Sequence, residues 1–280
     1  MVRPCCLSVA GSDSGGNAGV QADLRAFHAY GLHGCTVFAA LTAQNPFEVS
    51  AIHAVPADFV AAQLDAVLGV YDIRGMKTGM LADPAAIEAI ADRLARHPEI
   101  GKVIDPVMVA TSGVRLVPRE TTEVVKSRLL PLASLMTPNL PEAEVLCGGE
   151  IDADAQRAAD VEHAKELAKR LNGEYGCPVL VKGGHGSGKS AVDVLCDGRD
   201  TYEFAMPWVE SPVSTHGTGC SLAAALAAEL ALGRDVVSAV RGAKAYVHEA
   251  IAGSYLVGRD CGVLGFAPRA DTWTGKAGRG

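Results

Sequence analysis

Hydrophobic and polar positions alternate in blocks along this chain, and the blocks change period from one to the next. Cys5–Ala10 (CCLSVA) is a continuous apolar run of strand length, and Cys35–Leu41 (CTVFAAL) is a second. Between them, residues 18–30 carry helical spacing. Val60, Leu64, Val67 and Leu68 fall on one face of a helix over 59–70. Asp83-Pro84 supplies an N-cap followed by proline at the first helical position, ahead of the stripe Ile87, Ile90, Ala91, Leu94. Short strands follow at 103–104, 134–137 and 179–182, with a helix marked by Val161, Ala164, Ala168 and Leu171 before the last of these. The segments 191–196 and 201–205 read as a hairpin about Asp197-Gly198, and two helices follow over 219–232 and 235–251. This alternation predicts an α/β fold, a mostly parallel central sheet with helices on both faces. No linker or repeat divides the chain. One domain is expected over 1–265, with a flexible tail over 266–280.

With that pattern drawn, composition narrows the function classes. A net charge of -7, with no basic stripe, argues against nucleic acid as a partner. No apolar run reaches membrane-spanning length, and no charged-then-apolar leader opens the chain, so a cytoplasmic protein without membrane contact is expected. The eight cysteines form no C-x-x-C pair and lie mostly in apolar runs, which favours reduced, buried thiols over disulfides.

In open α/β sheets ligands bind beyond the carboxyl ends of the strands. Polar clusters stand at such points: 11–19 (GSDSGGNAG), Gln44-Asn45, 77–80 (KTGM), Asp105, Asn139, and Lys182-Gly183-Gly184-His185. The most informative is Thr215-His216-Gly217-Thr218-Gly219-Cys220, which opens onto an Ala/Leu-rich helix. Unpaired N–H groups and the positive end of the helix dipole make that start an anion site, and a thiolate at Cys220 would be stabilised there. The alternative is a glycine turn capping a core helix, with Cys220 as a small apolar residue. Residues 183–190 (GGHGSGKS) fit a P-loop pattern, but a P-loop must open a helix and AVDVLC alternates like a strand. That segment is read as a Gly/Ser loop entering the hairpin, placed to act as a flap.

These motifs, in this order, resemble the hydroxymethylpyrimidine/phosphomethylpyrimidine kinases of thiamine biosynthesis, in the ribokinase-like superfamily. The matching segments are 10–23 (AGSDSGGNAGVQAD), 42–45 (TAQN), 77–81 (KTGML), 105–108 (DPVM), 137–142 (TPNLPE), 181–185 (VKGGH) and 215–220 (THGTGC). The resemblance implies a ribokinase-like fold and transfer of the ATP γ-phosphoryl to 4-amino-5-hydroxymethyl-2-methylpyrimidine, then to its monophosphate. It implies catalytic roles for Cys220 as base and for Gly217, Thr218 and Gly219 as anion hole. Gln44, Met80, Asp23 and Gly11 would bind the pyrimidine, with Asp23 touching it or holding the loop. Asn139, Lys182 and Thr215 would face ATP, and Asp105 and Glu142 would reach Mg²⁺. Relatives are commonly oligomeric, and a homodimer is expected. A pyridoxal kinase and a non-catalytic precursor sensor are the competing readings. Two departures stand out: Asn17 where the family has Gly, and 258–264 in place of a Gly-His-Gly-rich segment.

Overall fold

The computed structural model describes residues 3–108, 117–149, 161–184, 190–258 and 260–267. One nine-stranded sheet organises them. Its strands are β1 (Cys5–Asp13), β2 (His33–Gln44), β3 (Val49–Ala54), β4 (Ile73–Thr78), β5 (Gly101–Ile104), β6 (Leu135–Met136), β7 (Val179–Val181), β8 (Ser190–Cys196) and β9 (Thr201–Pro207). The order is β3-β2-β1-β4-β5-β6-β7-β8-β9, parallel from β2 to β7; β3 pairs antiparallel with β2, β8 with β7 and β9 with β8. After β1 the chain turns one way to β2 and β3, then crosses to β4 on the other side. That reversal puts a topological switch point at the carboxyl ends of β1 and β4.

The helices among the described residues are α1 (Gly19–Ala29), α2 (Ala57–Leu68), α3 (Pro84–Leu94), α4 (Arg119–Val124, continuing helically to Leu132), α5 (Leu140–Leu146), α6 (Val161–Tyr175), α7 (Thr218–Ala231) and α8 (Val236–Ala252). Val60, Leu64, Ile87, Ile90, Leu94, Leu167 and Leu171 bury one core against one sheet face. Phe27, Tyr30, Ala223–Ala228, Val240 and Tyr246 bury the other. The small residues of α7 let its backbone approach the sheet closely. A Cβ on Gly75 of β4 would run into the Ala227 carbonyl, so only glycine permits this packing. The close fit fixes where the amino end of α7 points.

The Asp83 cap is present, its carboxylate accepting the Ala85 N–H at 3.1 Å. Residues 190–196 form a strand, as the alternation predicts, and do not open a helix. Four features lie outside the sequence reading: β3, β4, the helical stretch 119–132, and an antiparallel pair, β10 (Tyr255–Val257) with β11 (Cys261–Val263). The ring of Phe266 lies 6.3 Å from that of Tyr246, so packing extends past residue 265; the tail from 268 on, and with it most of the expected flexible segment, lies outside the described residues. The core of the Gly/Ser loop (185–189), including His185, also lies outside them.

Candidate active site

The site grows from β1. Asp13 at its end is 2% exposed and accepts three backbone N–H groups: Gly15 at 2.8 Å, Asn17 at 2.9 Å and Ala18 at 2.8 Å. Burial pushes its carboxyl up, but His216 and those three N–H groups outweigh burial and hold it below the usual range. Asp13 therefore folds 13–18 into a closed loop. Asn17 is not left-handed there; Gly16 and Gly19 take the positive φ angles, +77° and +57°. Asn17 thus stands where its side chain costs the loop no strain.

This loop is wired to the expected substrate readers. Ser14 Oγ donates to the Gln44 carbonyl at 2.7 Å and accepts the Gln44 N–H at 2.8 Å. The Gln44 side-chain oxygen accepts from Thr42 Oγ1 at 3.2 Å. The Met80 methyl lies 3.0 Å from where a Cβ on Gly11 would stand, so Gly11 and Met80 form one surface. Asp23 does not reach that surface. It is 0% exposed, accepts Ser8 Oγ at 2.5 Å and Lys77 Nζ at 3.0 Å, and keeps one carboxylate oxygen without a partner. Of its two expected roles, holding the loop from beneath is the one its position allows.

Across the switch point stands the amino end of α7. Gly217 caps it in the left-handed region at φ +86°. The Thr218 N–H turns back to the Thr215 carbonyl at 3.4 Å, and Ser221 N–H takes the Gly217 carbonyl at 3.0 Å. Among the described residues no carbonyl takes the Gly219 or Cys220 N–H, so these two donors stand unspent at the start of the helix. The Thr218 amide is engaged within the turn. The Cys220 thiol itself departs from expectation. Burial pushes it up, Asp23 and Asp105 add to that, and Lys77 opposes, so the resting group is the thiol rather than a stabilised thiolate.

Beyond α7 lies a charged cluster. Lys182 Nζ is 2.7 Å from Asp105 Oδ1, which also accepts Thr137 Oγ1 at 3.1 Å. The Lys182 ammonium approaches α7, 3.9 Å from the place of a Gly219 Cβ. Burial would lower Lys182, but Asp105 and Glu142 keep it raised and charged. Asn139 and Glu142 form a capping box on α5: Asn139 Oδ1 accepts the Glu142 N–H at 2.9 Å and Glu142 Oε2 accepts the Asn139 N–H at 2.8 Å. Glu142 Oε1 also accepts the Met108 N–H at 3.2 Å. Burial, with Asp105 adding to it against Lys182, pushes the Glu142 carboxyl up to about 7. Thr215 lies exposed at the rim.

The arrangement brings together Gly11, Gln44 and Met80 on one side, Gly217–Cys220 in the middle, and Lys182, Asp105, Asn139 and Glu142 on the other. Sequence reasoning placed Asp13 and Lys77 in its polar clusters without a role for either, and passed over Ser8. Asp13 had a signal, an Asp ahead of a Ser-Gly-Gly turn, where Asx bonding is common.

The sequence model of the family described as Phosphomethylpyrimidine kinase matches residues 13–265. The thiamine biosynthesis bifunctional protein ThiED of Geobacter sulfurreducens is 45% identical over 93% of the chain; the chain spans about half of that relative, 51% of its length. The hydroxymethylpyrimidine/phosphomethylpyrimidine kinase of Rhizobium meliloti is 45% identical over 88% of the chain and 89% of its own. Among solved structures, an ADP complex of Bacillus subtilis pyridoxal kinase superposes with a TM-score of 0.84 at 31% identity, covering 95% of this chain and 98% of that one. This neighbour establishes the ribokinase-like fold expected from the motifs.

Proposed function

This chain belongs to the phosphomethylpyrimidine kinase family, and from that premise we propose that it transfers the ATP γ-phosphoryl first to the hydroxymethyl group of 4-amino-5-hydroxymethyl-2-methylpyrimidine and then to the resulting monophosphate. The observation that carries the proposal is the pair of unspent N–H groups, Gly219 and Cys220, standing between the Gly11–Met80–Gln44 surface and the Lys182–Asp105 pair.

The pyrimidine ring lies against Met80 and Gly11, where the free Gln44 amide nitrogen and its oxygen read the ring nitrogen and exocyclic amine. The hydroxymethyl oxygen attacks the γ-phosphorus as the bond to the β-phosphate oxygen breaks, and ADP leaves. The two amides and Lys182 stabilise the charge on the transferring group, which is most of what phosphoryl transfer requires. The Cys220 thiol, protonated at rest, first gives its proton to solvent, and its sulfur then takes the hydroxyl proton as the phosphoryl group is transferred. In the second round the acceptor is an ionised phosphate oxygen with no proton to lose. Cys220→Ala should therefore slow the first step more than the second.

Asp105 and Glu142, buried side by side with Lys182 paired to Asp105, would hold a Mg²⁺ ion arriving with nucleotide phosphates, since Mg²⁺ needs only one or two protein carboxylates. When bound, the ion would neutralise the phosphates. Asn139 and Thr215 are placed to meet the nucleotide.

Three further readings have support. The single sheet drawing strands from the whole described chain supports one domain. Every residue of the edge strand Val49–Ala54 is exposed, with Val49 and Ile52 at 44% and 45%, which supports a homodimer closing over that edge. All eight cysteines are free, six of them buried, which supports a reducing cytoplasm, and no described helix is long and apolar enough to cross a membrane. The likeness to a pyridoxal kinase keeps pyridoxal as a second substrate to be tested. The direct test is label transfer from γ-labelled Mg·ATP to the pyrimidine; ATP hydrolysis or binding without labelled pyrimidine would overturn the assignment.

A further inference from the structure

A buried ion pair stands behind the backbone that carries Lys182. Asp193 on β8 and Lys244 on α8 are 5% and 8% exposed, and Lys244 Nζ donates to Asp193 Oδ2 at 2.7 Å. The other carboxylate oxygen, Oδ1, accepts the buried Gly183 N–H at 2.9 Å. Strand pairing explains why a side chain is needed there. β7 pairs with β8 only as far as Val181 opposite Val194, so Gly183 lies past the end of the ladder. A buried N–H without a partner costs free energy, and Asp193 supplies the acceptor that the ladder no longer does. The approach is close: a Cβ on Gly183 would run into the Val192 carbonyl, so the turn sits tight against β8. Burying an ion pair gives little net stability over well-packed apolar residues, so stability alone does not account for the two charges.

We infer that Asp193 is a positioning residue for Lys182, with Lys244 holding the Asp193 carboxylate in place. The inference rests on the reading of Lys182 as the cation beside the transferring phosphoryl group. Lys182 has a pinned peptide on each side. Its own N–H donates to the Pro138 carbonyl at 2.9 Å, and the next N–H, that of Gly183, donates to Asp193. Each peptide is planar, so pinning both leaves the Lys182 Cα little freedom. From that Cα the ammonium meets Asp105 Oδ1 at 2.7 Å and approaches the start of α7. Asp105 fixes the charged end of the side chain, and Asp193 fixes the backbone from which it reaches. Lys244 completes the brace by tying α8 to the turn after β7.

The test is a double-mutant cycle in the full chain, read by kcat for label transfer from γ-labelled Mg·ATP, with the KM for the pyrimidine as control. Asparagine has the shape of aspartate but one acceptor oxygen, so Asp193→Asn can serve the Gly183 N–H or Lys244, not both. It should lower kcat roughly tenfold, a part of the 10²-fold that a misplacement near 1 Å costs, and leave the KM for the pyrimidine unchanged. In Lys182→Met no ammonium is left to misplace, so there the same change should lower kcat by less than about twofold. A merely structural role gives the same fold-loss in both backgrounds, and that result overturns the inference, as does wild-type kcat in Asp193→Asn. If Asp193→Asn does not fold, Lys244→Gln, which keeps the Asp193–Gly183 bond, goes through the same cycle under the same criteria. Lys182→Met at wild-type kcat would remove the reading of Lys182 and the positioning role with it. A Lys182→Met loss with equal Asp193→Asn losses overturns the positioning role alone.

Discussion

Gly217 is packed against the backbone of Asn17: a Cβ at Gly217 would run into the Asn17 carbonyl oxygen, so the anion-binding turn and the substrate loop share one wall. The two segments are about 200 residues apart in sequence. Each constrains where the other places its ligand.

Gly217→Ala should therefore do two kinds of damage. The left-handed backbone at φ +86° penalises any side chain by about 1–3 kcal/mol. The clash with Asn17 also displaces the Gly219 and Cys220 amides, and a misplacement near 1 Å costs about 10²-fold in rate. Denaturant unfolding and steady-state kinetics measure both. Wild-type kcat in a variant that is merely less stable would show that the shared wall does not set the geometry.

Asp13 should give the loop an acid limit. Its carboxyl is held low in the folded protein, so the stability it contributes is complete above the unfolded-state value, about 3.9, and is lost as pH falls through the lower folded value. Asp13→Asn removes the charge at every pH. It should raise the KM for the pyrimidine at neutral pH and remove this part of the acid unfolding. Acid melts of the two proteins that run parallel would contradict the role given to Asp13.

Lys182→Met should leave pyrimidine binding intact and lower kcat by about 10²–10³-fold, the usual loss for one charge-stabilising donor. It also leaves Asp105 facing Glu142 without compensation, so Glu142 should rise further. A change confined to the KM for the pyrimidine would place Lys182 on the wrong substrate.

Gln44→Ala should raise the KM for the pyrimidine about tenfold, from the loss of roughly 1–1.5 kcal/mol of hydrogen bonding, with a smaller effect on kcat. Equal losses with pyrimidine and pyridoxal would show that the Gln44 side chain supports the loop through Thr42 rather than reading the ring.

The buried strands and amphipathic helices were legible because their periodicity reports burial directly. Strand β3 was not, since all six residues are exposed and no alternation marks an inner face. Strand β4 was hidden by Gly75 and Lys77, a glycine accepting the α7 backbone and a fully buried lysine that reads as a surface residue. The position of Cys220 at a helix start was visible in its glycines. Its protonation was not, because that depends on Asp23, Lys77 and Asp105, brought in by three other elements. Glu142 shows the same division: its place in a polar motif was visible in sequence, while its capping box with Asn139 and the rise of its carboxyl to about 7 came only with the structure, which sets Asp105 beside it.

The central claim is tested most directly by a time course with Mg·ATP and free hydroxymethylpyrimidine that resolves monophosphate from diphosphate, with pyridoxal in a parallel reaction. The account predicts monophosphate first, then diphosphate, with weak pyridoxal turnover. Pyridoxal phosphate without either pyrimidine product would contradict it.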